Sequence, residues 1–251
     1  MNEYEKQISS IDYLTENFIN LKKKCRNILI ITNKFDSAFH LSRAKLIDEI
    51  ISIHEKMKMK ELTLFLTIKY FDFFVIEKNP KAFNERSIML TCLYIAAKIN
   101  EINVIEIRDL PFNFLEFPTR KILKLEENIV DCLNYQLNLP TLYDFLSLYL
   151  KQIPLNSEEF KKSILTIELL LFDINISNTI HLDLISLSSI FSFYSKDSIE
   201  NQFEKLSYPH SFTSKHLIQC INLVKKTINN LYDNPNYLRL AKSKYINLNL
   251  S

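Results

Sequence analysis

The sequence contains no glycine and no tryptophan. Without glycine there can be no GxGxxG turn, no glycine-rich phosphate loop and no GxSxG nucleophile elbow, because each needs backbone that only glycine permits. Tight hairpins lose their usual turn residue. Helix ends must place asparagine or another residue where glycine normally sits. Cysteine is sparse: Cys25, Cys92, Cys132 and Cys220 lie far apart and share no metal-ligand spacing. The polar start, MNEYEKQISS, shows no signal peptide, so an intracellular, reduced protein is expected. Long apolar runs are missing too. The longest, from Ile88 to Ala97, includes Thr91 and reaches about half a membrane span, so no membrane partner is expected.

Charge of one sign is also missing. The 31 basic and 29 acidic residues leave a net charge of +2, so no direct nucleic-acid contact is expected. The nearest basic run, Lys22-Lys23-Lys24 with Arg26, reads as a solvated helix face. What is present is apolar material: 47% of 251 residues are hydrophobic, enough for one large domain or two of roughly 100 to 150 residues.

Helical periodicity organises nearly the whole chain. Residues 4 to 25 read as a helix, followed by a looser stretch from Asn27 to His40. From Ser42 to Met57, Leu46, Ile50, Ile53 and Met57 mark one helical face. A second helix covers 61–76, apolar on more than one side, and Asn79-Pro80 breaks it. A third spans 84–101 and is apolar all round between Ile88 and Ala97, which predicts a central helix buried among others. A short helix over 105–110 and one over 120–133, striped by Ile122, Leu125, Ile129 and Cys132, complete the first unit.

Leu139-Pro140 ends that unit, and Thr141 with Asp144 forms a capping box opening a helix over 143–150. Asn156 and Glu159 cap another over 158–172, and a helix over 181–194 follows. Leu217, Ile221, Val224, Ile228 and Leu231 stripe the last long helix, before Pro235. The expected fold is all-α: an N-terminal helix and lead-in over 1–40, then two bundles of about five helices, 41–139 and 140–251.

At this point the residues resemble a known family. The segment 42–74, opening SRAKL, resembles the start of a cyclin box; IMLTCLYIAAKINE (88–101) resembles its third helix; and 120–146 resembles its end. The closing KSKY segment, 242–245, supports a second, fainter box. The likeness is greatest to A/B-type mitotic cyclins. It implies tandem cyclin boxes and a non-enzymatic regulatory subunit, without cofactor or metal, that binds and activates a cyclin-dependent protein kinase. The expected setting is cell-cycle control in the nucleus, the cytoplasm or both.

The resemblance also implies residue roles. Lys98, in AAKINE, and Glu126, in KLEEN, match the pair that contacts the kinase, with Ile99, Val130, Tyr135 and Leu137 as apolar surroundings. Glu127 beside Glu126 reads as solvated surface. Arg43 and Asp48 match positions that brace the first box helix internally. The substrate-docking patch of many cyclins is altered: Ser42, Lys45, Leu46 and Glu49 stand at its positions, and only Leu46 is apolar. A docking groove needs contiguous apolar area, so the usual substrate docking is expected to be lost or changed.

Other chemistry finds little support. His40, His54, His181, His210 and His216 read as packing or surface residues, since no cysteine or carboxylate cluster completes a metal site. Glu158-Glu159 reads as charge at a helix start rather than an acid/base pair. Two other functions share the fold class. One is a TFIIB-like transcription scaffold, which predicts a basic face and salt-dependent DNA binding; the other is a divergent cyclin acting as a kinase-independent interaction module.

Overall fold

Helix ends solve the missing-glycine problem with strained residues. Lys58 (φ 51°) ends the helix Ser37–Met57, and Asn134 (φ 49°) with Tyr135 (φ 59°) ends the helix that carries Glu126. Each left-handed non-glycine residue costs roughly 1 to 2 kcal/mol, which neighbouring packing offsets.

The structure, a computed structural model, describes residues 3–26, 37–78, 84–103, 105–179, 181–233 and 244. Its helices are α1 (Glu3–Arg26), α2 (Ser37–Met57), α3 (Glu61–Lys78), α4 (Glu85–Asn100), a 3₁₀ turn (Ile107–Asp109), α5 (Thr119–Cys132), α6 (Leu142–Tyr149), α7 (Ser157–Leu170), α8 (Ile174–Thr179), α9 (Leu182–Phe191), α10 (Lys196–Phe203) and α11 (Ser214–Asp233). No strand occurs among the described residues. Pro235 and most of 242–245 lie outside them, as do Asn79, Pro80 and the lead-in 27–36.

The first bundle is α2 to α5, with α3 against α4 as its most extensive contact. Ile88, Met89, Leu90, Cys92, Leu93 and Ile95 bury α4, matching its all-round apolar sequence. The second bundle packs α6, α7 and α11 around α9. Three small residues of α9 are buried, and Ser188 and Ser189 donate to the carbonyls of Leu184 and Ile185 while Ser186 donates to that of Leu142. Both sequence-read capping boxes form. The Thr141 N–H donates to Asp144 Oδ2 at 2.8 Å, and the Asn156 N–H donates to Glu159 Oε2 at 2.9 Å.

The structure differs from the sequence reading at short or irregular elements. α2 begins at Ser37 rather than Ser42, because half-buried Phe39 extends its packed face upstream. The helix expected over 105–110 is only the 3₁₀ turn, stopped by Pro111. α8 and α10 carry too few apolar residues for periodicity to show. α8 is held instead by Asp173 Oδ1, which accepts from the Asn175 and Ile176 N–H groups.

Arg43, expected as an internal brace, reaches beyond its own helix. Its guanidinium makes a bidentate pair with Asp72 of α3, at 2.7 and 2.8 Å, and donates to the carbonyls of Leu171 (2.8 Å) and Phe172 (3.3 Å) just after α7. Asn178 of α8 donates to the same Asp72 (3.1 Å) and accepts from Lys69 (3.0 Å). This network joins the two bundles. Asp48 is separately buried within α2.

The basic run divides. Lys23 and Lys24 are exposed, as a solvated face requires, whereas Lys22 Nζ lies 2.8 Å from buried Asp183 and donates to Ser211 at 2.9 Å. One turn earlier, fully buried Phe18 stacks on Tyr208 at 4.7 Å and meets Phe145 and Tyr149 edge-on. Together these residues fasten α1 to the second bundle.

A third link is acidic. Glu168 of α7, wholly buried, meets Lys244 at 2.9 and 3.0 Å, and Lys244 also reaches Glu55 of α2 at 3.5 Å. Burial, with Glu61 of α3 adding repulsion, pushes the Glu168 carboxyl up to about 7, against the opposing pull of Lys244. A carboxyl raised above its ordinary value favours folding at low pH and withdraws that stability as pH rises between about 4.5 and 7. Glu168→Gln removes this slope. Urea unfolding at pH 5 and pH 8 should show the variant gaining on the wild type by on the order of 2 to 3 kcal/mol across that interval. Parallel pH profiles would contradict the assignment.

Candidate functional site

The site grows from two helix ends. α4 starts at Asn84, whose side chain accepts from the Arg86 N–H, and its buried face fixes its rotation. That leaves Lys98 exposed in the last turn, where the helix dipole favours a cation. α5 buries Ile122, Leu125 and Ile129 against the bundle, so Leu123, Glu126 and Val130 fall on the outer face.

Packing of α4 against α5 brings the two charges together. Lys98 Nζ lies 2.6 Å from Glu126 Oε1, with the lysine side chain 46% and the glutamate 16% exposed. The ammonium also sits 4.9 Å above the Tyr94 ring, one turn back on α4. The pair is thus pre-positioned at an accessible rim rather than sealed in the core. Glu127 pairs with Lys124 at 2.8 Å on the open surface, apart from this rim.

The apolar surroundings divide. Ile99 is 46% and Tyr135 72% exposed, large fractions for such side chains, while Val130 and Leu137 are half-buried. The Tyr135 hydroxyl donates to Asp131 Oδ1 at 2.6 Å, which holds the ring outward from its left-handed backbone. A groove of about 460 Å³ runs beside them, bounded by Ile99, Tyr135, Gln136 and Leu137 and, from α1, Lys24. Sequence reasoning missed Tyr94, whose signal was its one-turn spacing from Lys98, and Lys24, which carried none.

On α2 the altered patch is polar. Leu46 is buried, and Lys45 is exposed. Glu49 holds Arg86 of α4 at 2.6 Å, and the Ser42 hydroxyl donates to Glu85. A groove of about 510 Å³ there is lined by Ser42, Lys45, Leu46, Asn84, Glu85 and Arg86. An apolar ligand would find charge where it needs apolar surface.

Among the described residues no group of three or more His, Cys, Asp or Glu side chains is placed to hold a metal, and no helix is long and apolar enough to cross a membrane. His210 packs between Phe203 and Phe212, and burial lowers its pKa to about 4. His54 Nε2 donates to the Lys60 carbonyl at 2.9 Å, and burial lowers its pKa also.

Fold and site together define an all-helical, two-bundle scaffold with a charged pair set in an apolar rim. A family model described as the cyclin N-terminal domain matches residues 9–138, and the chain belongs to the cyclin family. A G2/mitotic-specific cyclin-2 of Medicago sativa is 34% identical over 110 residues, 43% of this chain and 34% of that protein. Cyclin-B2-1 of Arabidopsis thaliana is 34% identical over 110 residues, 43% of this chain and 26% of that protein. The matched stretch thus spans about a third or less of those relatives' own length. The crystal structure of a viral cyclin from herpesvirus saimiri superposes with a TM-score of 0.67 at 16% identity, covering 84% of this chain and 95% of the other, and shares the fold.

Proposed function

We propose that the chain is a regulatory subunit that binds a cyclin-dependent protein kinase and shifts it to its active conformation. The Lys98–Glu126 ion pair at 2.6 Å, its lysine half open to solvent and its glutamate mostly covered, beside exposed Ile99 and Tyr135, is the observation that carries this reading. A pair held in place before binding offers a donor and an acceptor at fixed spacing to a partner's backbone. Ion pairs of this kind set register, and exposed aromatic and aliphatic side chains around them supply the binding energy. Activation then needs only tighter binding to the active state than to the inactive one, with no chemistry on this chain. The cell-cycle setting follows from the mitotic cyclins among its relatives, and the nucleus, the cytoplasm or both would be the site of action.

The test uses recombinant cyclin-dependent kinases, measuring affinity and peptide phosphorylation with the wild type, Lys98→Ala and Glu126→Ala. Each substitution should weaken binding by about 30-fold or more, the ~2 kcal/mol of an interface hot spot, and lower activation in step. Their melting temperatures should stay near the wild type's, since an exposed pair adds little stability. Full binding by both variants would reject this interface.

A further inference from the structure

One buried carboxylate oxygen has no donor. Oε2 of Glu61, in the first turn of α3, is shut off from solvent, and no group among the described residues donates to it. Its neighbour is a second carboxyl, that of wholly buried Glu168 on α7, and the two side chains are in hydrogen-bond contact. Two ionised carboxylates cannot hydrogen-bond, since neither carries a donor. A proton between them supplies the donor, gives Glu61 a partner and removes one of two like charges that face each other out of water.

The contact crosses from the first bundle, through α3, to the second, through α7. Its surroundings set the charge balance. Lys244 meets Glu168 at 2.9 and 3.0 Å, and Glu55 of α2 lies 3.5 Å from the same ammonium. His54 of α2 also faces the cluster, but burial disfavours its charged form. Glu101, just past α4, is turned to the Lys60 N–H and the Thr63 hydroxyl. α6, α9 and α11 pack on α7 as well, and the inward carboxylates of the first two, Asp144 and Asp183, are taken up by Thr141 and Lys22. One cation therefore faces three carboxyl groups. A shared proton leaves one negative charge in excess, and its loss leaves two.

We propose that Glu61 and Glu168 share one proton and form a pH-dependent latch between the two bundles. Below neutral pH the proton ties the start of α3 to α7. As pH rises through about 7 the proton leaves, Glu168 keeps Lys244 alone, and the two ionised carboxylates repel across the junction. The latch uses none of the residues assigned to kinase binding, so it stands or falls apart from that reading.

NMR of the intact chain, with glutamate side-chain carboxyls labelled, tests it in the wild type, Glu61→Gln, Glu168→Gln and Lys244→Met. In the wild type one carboxyl should titrate near neutral pH, and Glu168→Gln should remove that titration. Glu61→Gln should lower its midpoint by about one pH unit or more, because a charged acceptor is lost, whereas Lys244→Met should raise it, because an attracting cation is lost. Hydrogen exchange reads the bundles. Protection at the start of α3 and in α7, corrected for intrinsic rates, should fall about tenfold between pH 6 and pH 8 in the wild type and hold steady in Glu168→Gln. A Glu168 carboxyl that titrates in the ordinary range, or a midpoint indifferent to Glu61→Gln, would overturn the shared proton. Constant wild-type protection across the interval would overturn the latch. If Glu168→Gln does not fold, the opposite midpoint shifts of Glu61→Gln and Lys244→Met still decide, and shifts of one sign would overturn the proposal.

Discussion

Arg43→Ala should destabilise the protein by about 3 to 5 kcal/mol, the penalty for stranding one member of a buried ion pair. Both members are sealed: the Arg43 and Asp72 side chains are 1% and 2% exposed. Removing the guanidinium leaves Asp72 with only Asn178 as a side-chain donor in this network, and it orphans the carbonyls of Leu171 and Phe172. Because those carbonyls belong to the second bundle, the loss should appear as uncoupling as well as weakening. Calorimetry should show a melting temperature lower by on the order of 10 °C, with the transition broadened or split in two. A loss under about 1 kcal/mol with one sharp transition would mean that Arg43 does not clamp the bundles.

Phe18→Ala should release α1. The ring is fully buried, stacked on Tyr208 and edge-on to Phe145 and Tyr149, and deleting such a side chain costs about 3 to 5 kcal/mol. The deleted ring packs α1 onto the second bundle, so the change is local before it is global. Limited proteolysis should cut within α1 far faster than in the wild type. Phe18→Leu, which keeps most of the volume, should recover most of the protection. If α1 stays protected in Phe18→Ala, the Lys22–Asp183 pair and the packed Leu14, Leu21 and Cys25 must suffice to hold the helix.

Much of the fold was legible because its signals are local. The stripe of α5, the stripe of α11 and the capping boxes at Thr141 and Asn156 depend on residues within one or a few turns, and the structure forms all of them. The short helices α8 and α10 were not legible, since they carry too few apolar residues to show a period, whereas the equally short α6 was marked by its capping box. Asp72 had a signal that went unread: it is an acid between Phe71 and Phe73 in an apolar helix, where a buried charge requires a partner. The partner of Arg43 could not be read from spacing, because Asp72 lies 29 positions away along the chain.

The candidate site was legible only in part. Resemblance placed Lys98 and Glu126 together in purpose; their spacing of 28 positions says nothing about distance in space. Lys24 could not be read at all, because the groove it borders is made by a helix and a loop far along the chain from it.

By itself the sequence determined the helical class, the order of the long helices and the two-bundle plan, because a 3.6-residue period and a cap are properties of neighbouring residues. The tertiary structure alone decided which charges meet: Lys98 with Glu126, Arg43 with Asp72, Lys22 with Asp183 and Lys244 with Glu168. An ion pair needs its atoms within a few ångströms, and across distant helices only the packing of their apolar faces sets that separation.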